Sequence, residues 1–116
     1  MFRFDEGLKV YLHHPSVDFR MGINGLAMLV EQALGLDPFA ECVYVFRNRR
    51  RNRVKILGWD RNGFWLLLKR LEEDKFIWPD EAAVPTLTVE QLHWLLEGID
   101  VAAVQRHPRR VYERVG

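Results

Sequence analysis

Apolar and polar positions change period several times along the chain, and each change marks a new element. Leu8, Val10 and Leu12 alternate with Lys9, Tyr11 and His13, the two-residue period of a half-buried strand over Leu8 to His13. Ile23, Leu26, Ala27, Val30 and Leu34 then recur at three- and four-residue steps, which predicts a helix capped by Asp18 and ended by Gly35, with Pro38 just beyond. Gly22 and Gly25 fall inside that helix. Each costs about 1 kcal/mol relative to Ala, which predicts close packing against another backbone there, unless the helix starts past Gly22.

From Cys42 to Trp78 the pattern turns to β-branched and aromatic runs separated by turn residues. This predicts three or four antiparallel strands in a meander. Val43 to Arg47 and Arg53 to Trp59 flank the loop Asn48 to Asn52, and Asp60-Arg61-Asn62-Gly63 forms a tight turn into Phe64 to Leu71. A last short strand is expected at Phe76 to Trp78. Thr88 and Gln91 have capping-box spacing ahead of Leu92, Leu95 and Leu96, so a second helix runs to Gly98. The expected fold class is α+β, an antiparallel β-meander of four to five strands with two packed helices. Residues 1–104 are read as one domain and residues 105–116 as a mobile basic tail.

Composition bounds the class. With 116 residues, 48% apolar and 28% charged, the chain can bury a core without staples. Its one cysteine, Cys42, allows no internal disulfide and fits a reducing cytoplasm as a small buried hydrophobe. No apolar run reaches the roughly 20 residues of a membrane span, and the N-terminus lacks the order of a signal peptide.

Net charge is only +1, but its distribution is uneven. Six of the nine residues from Arg47 to Lys55 are basic, whereas Glu72 to Asp100 carries eight acidic residues and one basic, Lys75. The molecule is therefore expected to be a charge dipole. Arg47, Arg49, Arg50, Arg51, Arg53 and Lys55 form the candidate nucleic-acid site, because guanidinium groups on a projecting ribbon pair with phosphate oxygens and release counterions. Arg106, Arg109 and Arg110 are a secondary basic site in the tail. A five-residue loop would set Arg47 opposite Arg53, a repulsive pair needing compensation. That register puts Tyr44, Phe46, Val54 and Ile56 in the core and Arg47, Arg53 and Lys55 on the other face, beside Val43 and Val45. Pairing across Asn62-Gly63 would bring Lys69 to the face of Val54, which requires a bulge, a twist or a second covered face. Charged hairpin tips are also ordinary solvated loops, and Trp59, Phe64 and Trp65 read as core rather than stacking platforms.

Catalysis finds little support. His13 and His14 are strand neighbours that point to opposite faces, and no His-Glu-x-x-His motif or cysteine pair accompanies them. Asp18, Asp60 and Glu97 are better explained as helix cap, turn former and helix end than as an acidic triad. There is no Gly-rich phosphate loop and no nucleophile motif. No enzyme activity, metal or cofactor is expected.

Several stretches together resemble a known family: Val17-Asp18-Phe19-Arg20 with Gly22 and Gly25-Leu26; Asp37-Pro38-Phe39; Val45-Phe46-Arg47-Asn48-Arg49-Arg50; and Lys55-Ile56-Leu57-Gly58-Trp59-Asp60. Gly63, Lys69-Arg70-Leu71-Glu72, Phe76-Ile77-Trp78-Pro79 and Leu96-Glu97-Gly98-Ile99-Asp100 extend the likeness from about Leu8 to Arg106. The order and spacing are similar to the TnpB accessory proteins of the IS-sixty-six family of bacterial insertion sequences. The resemblance implies a role in transposition beside a separate, larger transposase that carries the catalytic acids. DNA and a transposase subunit are the partners it suggests. The alternative is an adaptor that docks the transposase through the acidic segment and exposed aromatics, Phe76 to Pro79 among them, without binding DNA.

Overall fold

Two tight reversals lay three strands side by side, and the two polar turns predicted from Asn48 to Asn52 and at Asn62-Gly63 are where the chain turns back. In the computed structural model, which describes residues 4–5, 7–80 and 86–106, these strands are β2 (Cys42–Arg47), β3 (Arg53–Asp60) and β4 (Gly63–Arg70), each antiparallel to the next. The meander ends there. Strand β1 (Lys9–Leu12) lies parallel to β2, and helix α1 (Ile23–Ala33) lies in the crossover between them. A parallel pair requires such a crossover, since no tight turn can join strands that run the same way. The two-residue strand β5 (Thr86–Leu87) adds antiparallel to β1, giving a mixed sheet in the order β4-β3-β2-β1-β5. Helices α2 (Val89–Leu96) and α3 (Val101–Arg106) follow. The class is α+β, but the purely antiparallel meander is corrected to a mixed sheet.

Both faces of this sheet are covered, which changes the expected assignment of sides. Leu26 and Val30 of α1 pack on Cys42, Tyr44, Phe46 and Leu57. On the other face Val89, Leu92 and Leu95 of α2, with Val101 of α3, pack on Val10, Leu12, Val43, Val45, Val54 and Ile56. Tyr44 and Phe46 are therefore on the opposite face from Val54 and Ile56, not beside them. The hairpin register explains the difference, because Arg47 pairs with Val54 and Phe46 with Lys55, one step from the expected pairing. A one-residue slip exchanges the faces of every side chain in a strand. A sheet buried on both faces needs near-continuous apolar runs, as in Cys42-Val43-Tyr44-Val45-Phe46.

The second covered face also resolves Lys69. It pairs with Val54 in an unbroken register. Its ammonium donates to the Leu96 carbonyl at 2.8 Å, a cation at the C-terminus of α2 where the helix dipole favours it. Helix α2 opens with the predicted capping box, Thr88 and Gln91 bonding reciprocally. Helix α1 departs from expectation at its start: Gly22, with no side-chain cap, is its N-cap. Asp18 instead accepts from the Arg20 N–H and binds the Arg20 guanidinium. A Cβ at Gly22 would meet no atom within 4 Å, and the space at Gly25 is bounded by the Met21 side chain, so neither marks a close backbone approach. Gly35 ends the helix at a φ of +64°, the left-handed conformation glycine adopts without strain.

Phe76 to Trp78 forms no strand. Phe76 is buried in the α2-side core, and its N–H donates to the Arg51 carbonyl at 2.7 Å. Helix α3 carries the backbone through Arg106, past the expected start of the tail, and residues 107–116 lie outside the described residues.

Lys55 fixes the connection between β1 and α1. Its position opposite Phe46 turns it to the α1 face, where its ammonium donates to the carbonyls of Phe19 and Met21, each at 2.7 Å. The same ammonium lies 4.9 Å from the Phe19 ring centroid, close enough for cation–π attraction. Hydrogen bonds to a charged group contribute about 1.5–3 kcal/mol. Lys55→Met keeps the stem and removes the charge, and we expect it to lower unfolding free energy by about 2 kcal/mol in urea titration. Burial raises the Cys42 thiol above its ordinary pKa, against the smaller opposing effect of its bond to Tyr44. Iodoacetamide at mildly alkaline pH should therefore modify Cys42 slowly in the folded protein and readily in denaturant, as mass spectrometry will read.

Candidate nucleic-acid interface

The β2–β3 tip is organised by one asparagine. Asn48 Oδ1 accepts from the backbone N–H groups of Asn52 and Arg53, each at 3.1 Å. Its Nδ2 donates to Asn52 Oδ1 at 2.7 Å. The Arg51 N–H returns to the Asn48 carbonyl, and Arg51 occupies the left-handed region at a φ of 59°. Asn48 rather than Arg47 stands across from Arg53, since the Asn48 N–H donates to the Arg53 carbonyl. The expected Arg47–Arg53 repulsion is thereby removed. The like-charged pair instead spans β3 and β4, where Arg53 faces Arg70. Arg70 is held by Glu72 at 2.9 Å, which offsets that repulsion.

The tip does not project freely. Leu71 donates to the Asn52 carbonyl, and Phe76 to that of Arg51, so the segment from Leu71 to Phe76 supports it from behind. That segment carries Glu72, Glu73 and Asp74 in exposed positions. The charge dipole expected from the sequence is therefore incomplete, because an acidic turn adjoins the basic one.

The six predicted residues divide into two groups. Arg47 and Lys55 face inward. Arg47 is half-buried, its Nε donates to the His14 carbonyl at 3.0 Å, and its own carbonyl accepts from Val17. Burial moves its pKa down, with the charge of Arg51 adding to the shift. Both residues hold the β1–α1 connection and offer little to a ligand. Arg49, Arg50, Arg51 and Arg53 are exposed, and among the described residues no side-chain hydrogen bond or ion pair engages them. Arg106 lies in α3, and Arg109 and Arg110 fall outside the described residues.

Between the tip and the clamped connection lies a cleft of about 320 Å³ lined by Val17, Phe19, Asn48, Arg49, Arg50, Asn52 and Arg53. None of its lining residues is acidic. The nearby carboxylate of Asp18 is engaged by Arg20, whose guanidinium holds it down at about 2. The sequence could not have shown that Val17 and Phe19 belong to the site, because the contact depends on Arg47 and Lys55 reaching back across more than thirty residues. A second cleft of about 400 Å³, lined by Glu31, Gly35, Leu36, Asp37, Pro38 and Phe39, carries carboxylates and has the wrong sign for phosphate.

Of the other candidates, His14 leaves its buried Nε2 without a hydrogen-bond partner among the described residues, and the rest have structural roles. Asp60 accepts from the indole N–H of Trp65, and Glu97 is the C-cap of α2. His13 bonds the Pro15 carbonyl. Among the described residues no three His, Cys, Asp or Glu side chains gather to hold a metal ion. No described helix is long and apolar enough to cross a membrane. Trp59 and Phe64 pack edge to face at 4.9 Å, with Phe39 against both. Trp59 and Phe64 are half-buried, Phe64 against the α1-side core, and Trp65 is 42% exposed, so none of the three is the fully buried core residue expected.

Two proteins of Sinorhizobium fredii, each described only as uncharacterised, are similar to this chain along most of its length. The protein y4jC is 38% identical over 103 residues, covering 88% of both chains. The protein y4hO is 32% identical over 108 residues, covering 92% of this chain and 90% of its own. No solved structure matches. The model of the IS66 Orf2-like proteins matches residues 8–106, which include both clamp residues, the cleft and the basic tip. The chain belongs to the IS66 Orf2-like family, and with it to the accessory proteins associated with transposition of insertion sequences.

Proposed function

We propose that this protein acts in transposition as a non-catalytic accessory factor that grips DNA by its phosphates. The observation that carries the reading is the set of four exposed guanidinium groups, Arg49, Arg50, Arg51 and Arg53, which have no carboxylate partner among the described residues. Surface cations that served only solubility would gain from neighbouring carboxylates, and one such turn, Glu72 to Asp74, is close at hand without pairing to them. A rigid tip also loses less freedom on binding than a floppy loop, and Asn48 fixes this one through three hydrogen bonds. These four arginines meet phosphate rather than base edges, so they hold DNA with little sequence preference.

A second reading has its own observation. Strand β4 is eight residues long and forms one edge of the sheet, with Trp65, Leu67 and Leu68 exposed along it. An apolar edge strand is a ready template for pairing with another chain. In that reading the protein docks the transposase by strand addition and does not itself bind DNA.

Salt separates the two. Four phosphate contacts predict about a hundredfold loss of affinity for duplex DNA between roughly 50 and 200 mM salt. The fitting variant carries Arg49→Ala, Arg50→Ala and Arg53→Ala with Arg51→Gly, since glycine suits the left-handed position that Ala would strain. Fluorescence anisotropy should show that this variant loses most of its affinity and nearly all of its salt slope while its unfolding midpoint holds. Full duplex affinity in the variant would overturn the tip as the DNA contact, and no duplex binding by the unaltered protein at low salt would leave the adaptor reading.

A further inference from the structure

The cleft at the basic tip has features that a phosphate patch does not need, and their use by a ligand rests on the proposal that the tip binds DNA. Phosphate contacts to an intact duplex need only convex, exposed cations. Here three of the arginines line a concavity shared with an aromatic residue, Phe19, and two asparagines. At about 320 Å³ the cleft falls at the small end of ligand sites, which run from about 300 to 1,000 Å³.

The amide chemistry is fixed by the backbone. Two main-chain N–H groups point at one end of the Asn48 side chain, which must therefore be its oxygen. The other end is then the nitrogen, so the Asn52 atom it meets must be an oxygen as well. Asn52, one of the residues lining the cleft, is left with its Nδ2 group, two donors with no protein acceptor among the described residues. Such donors suit the carbonyl oxygen of an unpaired base. The cleft wall also includes Phe19, whose carbonyl and ring are both held by Lys55. Single-strand binding sites combine these parts: cations along the backbone and an aromatic side chain for the base.

We infer that this cleft receives one unpaired nucleotide, the base against Phe19 and Asn52 and its flanking phosphates on Arg49, Arg50 and Arg53. A stacked, paired base cannot enter it without leaving the helix. The protein therefore favours single-stranded or locally opened DNA over intact duplex. Lys55 and Arg47 act as positioning residues, since they place the ring wall without touching the ligand.

The test compares three probes of equal length: an oligothymidylate, a blunt duplex and the same duplex with one bulged thymidine. We expect the unpaired and bulged probes to bind about tenfold more tightly than the blunt one, the size of effect given by one base stacking on one ring. Phe19→Ala and Asn52→Ala should each narrow that preference to within about twofold. Neither removes a backbone carbonyl that Lys55 or Leu71 holds, and a thermal melt will verify each fold. Equal affinity for all three probes, abolished alike by the arginine variant, would overturn the cleft while leaving the phosphate grip intact. An undiminished preference in both Phe19→Ala and Asn52→Ala would overturn it too. If no probe binds at low salt, the phosphate reading fails first and the cleft fails with it.

Discussion

A single ammonium group holds the site together. The ten residues from His13 to Gly22 that link β1 to α1 include no helix or strand, so several of their carbonyls need partners from elsewhere. Lys55 supplies two and Arg47 a third, both from the β2–β3 hairpin. A neutral donor of the same length would satisfy the same carbonyls less strongly, because charge roughly doubles the strength of such bonds. Without this clamp the parallel pairing of β1 with β2 would still set the sheet and the Val17 N–H would still reach the Arg47 carbonyl, but Phe19 would lose the bonds that fix it relative to the tip. The cationic pair thus converts a charged turn into a concave site.

That division of labour was hidden in the sequence for a definite reason. The β-branched and aromatic runs on either side of Asn48 to Asn52 located the β2–β3 hairpin. What composition cannot give is parity. The expected five-residue loop and the observed Asn48–Arg53 closure differ by one position, and one position decides whether Lys55 shares a face with Phe46 or with Val45. The alternation rule is informative when one face is wet. Here β2 is apolar at five consecutive positions, so no polar face remained to reveal the register.

Other elements were legible because their signals are local. The capping box at Thr88 and Gln91, the glycine stop at Gly35 and the tight turn before Gly63 each lie within a few residues and were found where expected. The start of α1 was not, although its signal looked local too. Asp18 is a good cap by residue type, but its carboxylate is taken by Arg20 in an even shorter-range contact. The parallel placement of β1 lay beyond local reading altogether. A four-residue strand with ordinary alternation pairs equally well in either direction, and only the docking of α1 onto Tyr44 and Phe46 selects the crossover.

The two edges of the sheet then set the protein's possible contacts. At one edge β5 is only two residues long, too short to template another strand. At the other, β4 has eight residues and two cations near its end, of which Lys69 is bonded to α2 and Arg70 to Glu72. These cations are committed inside the molecule, so they guard the edge less than free ones would. Leu71, next along, donates to the Asn52 carbonyl at the basic tip, which makes β4 and the tip mechanically continuous. Any change in the pairing of β4 would therefore reach the support of Asn52, and any load on Asn52 would reach β4 by the same bond. The exposed edge and the basic tip are therefore neighbouring ends of one strand.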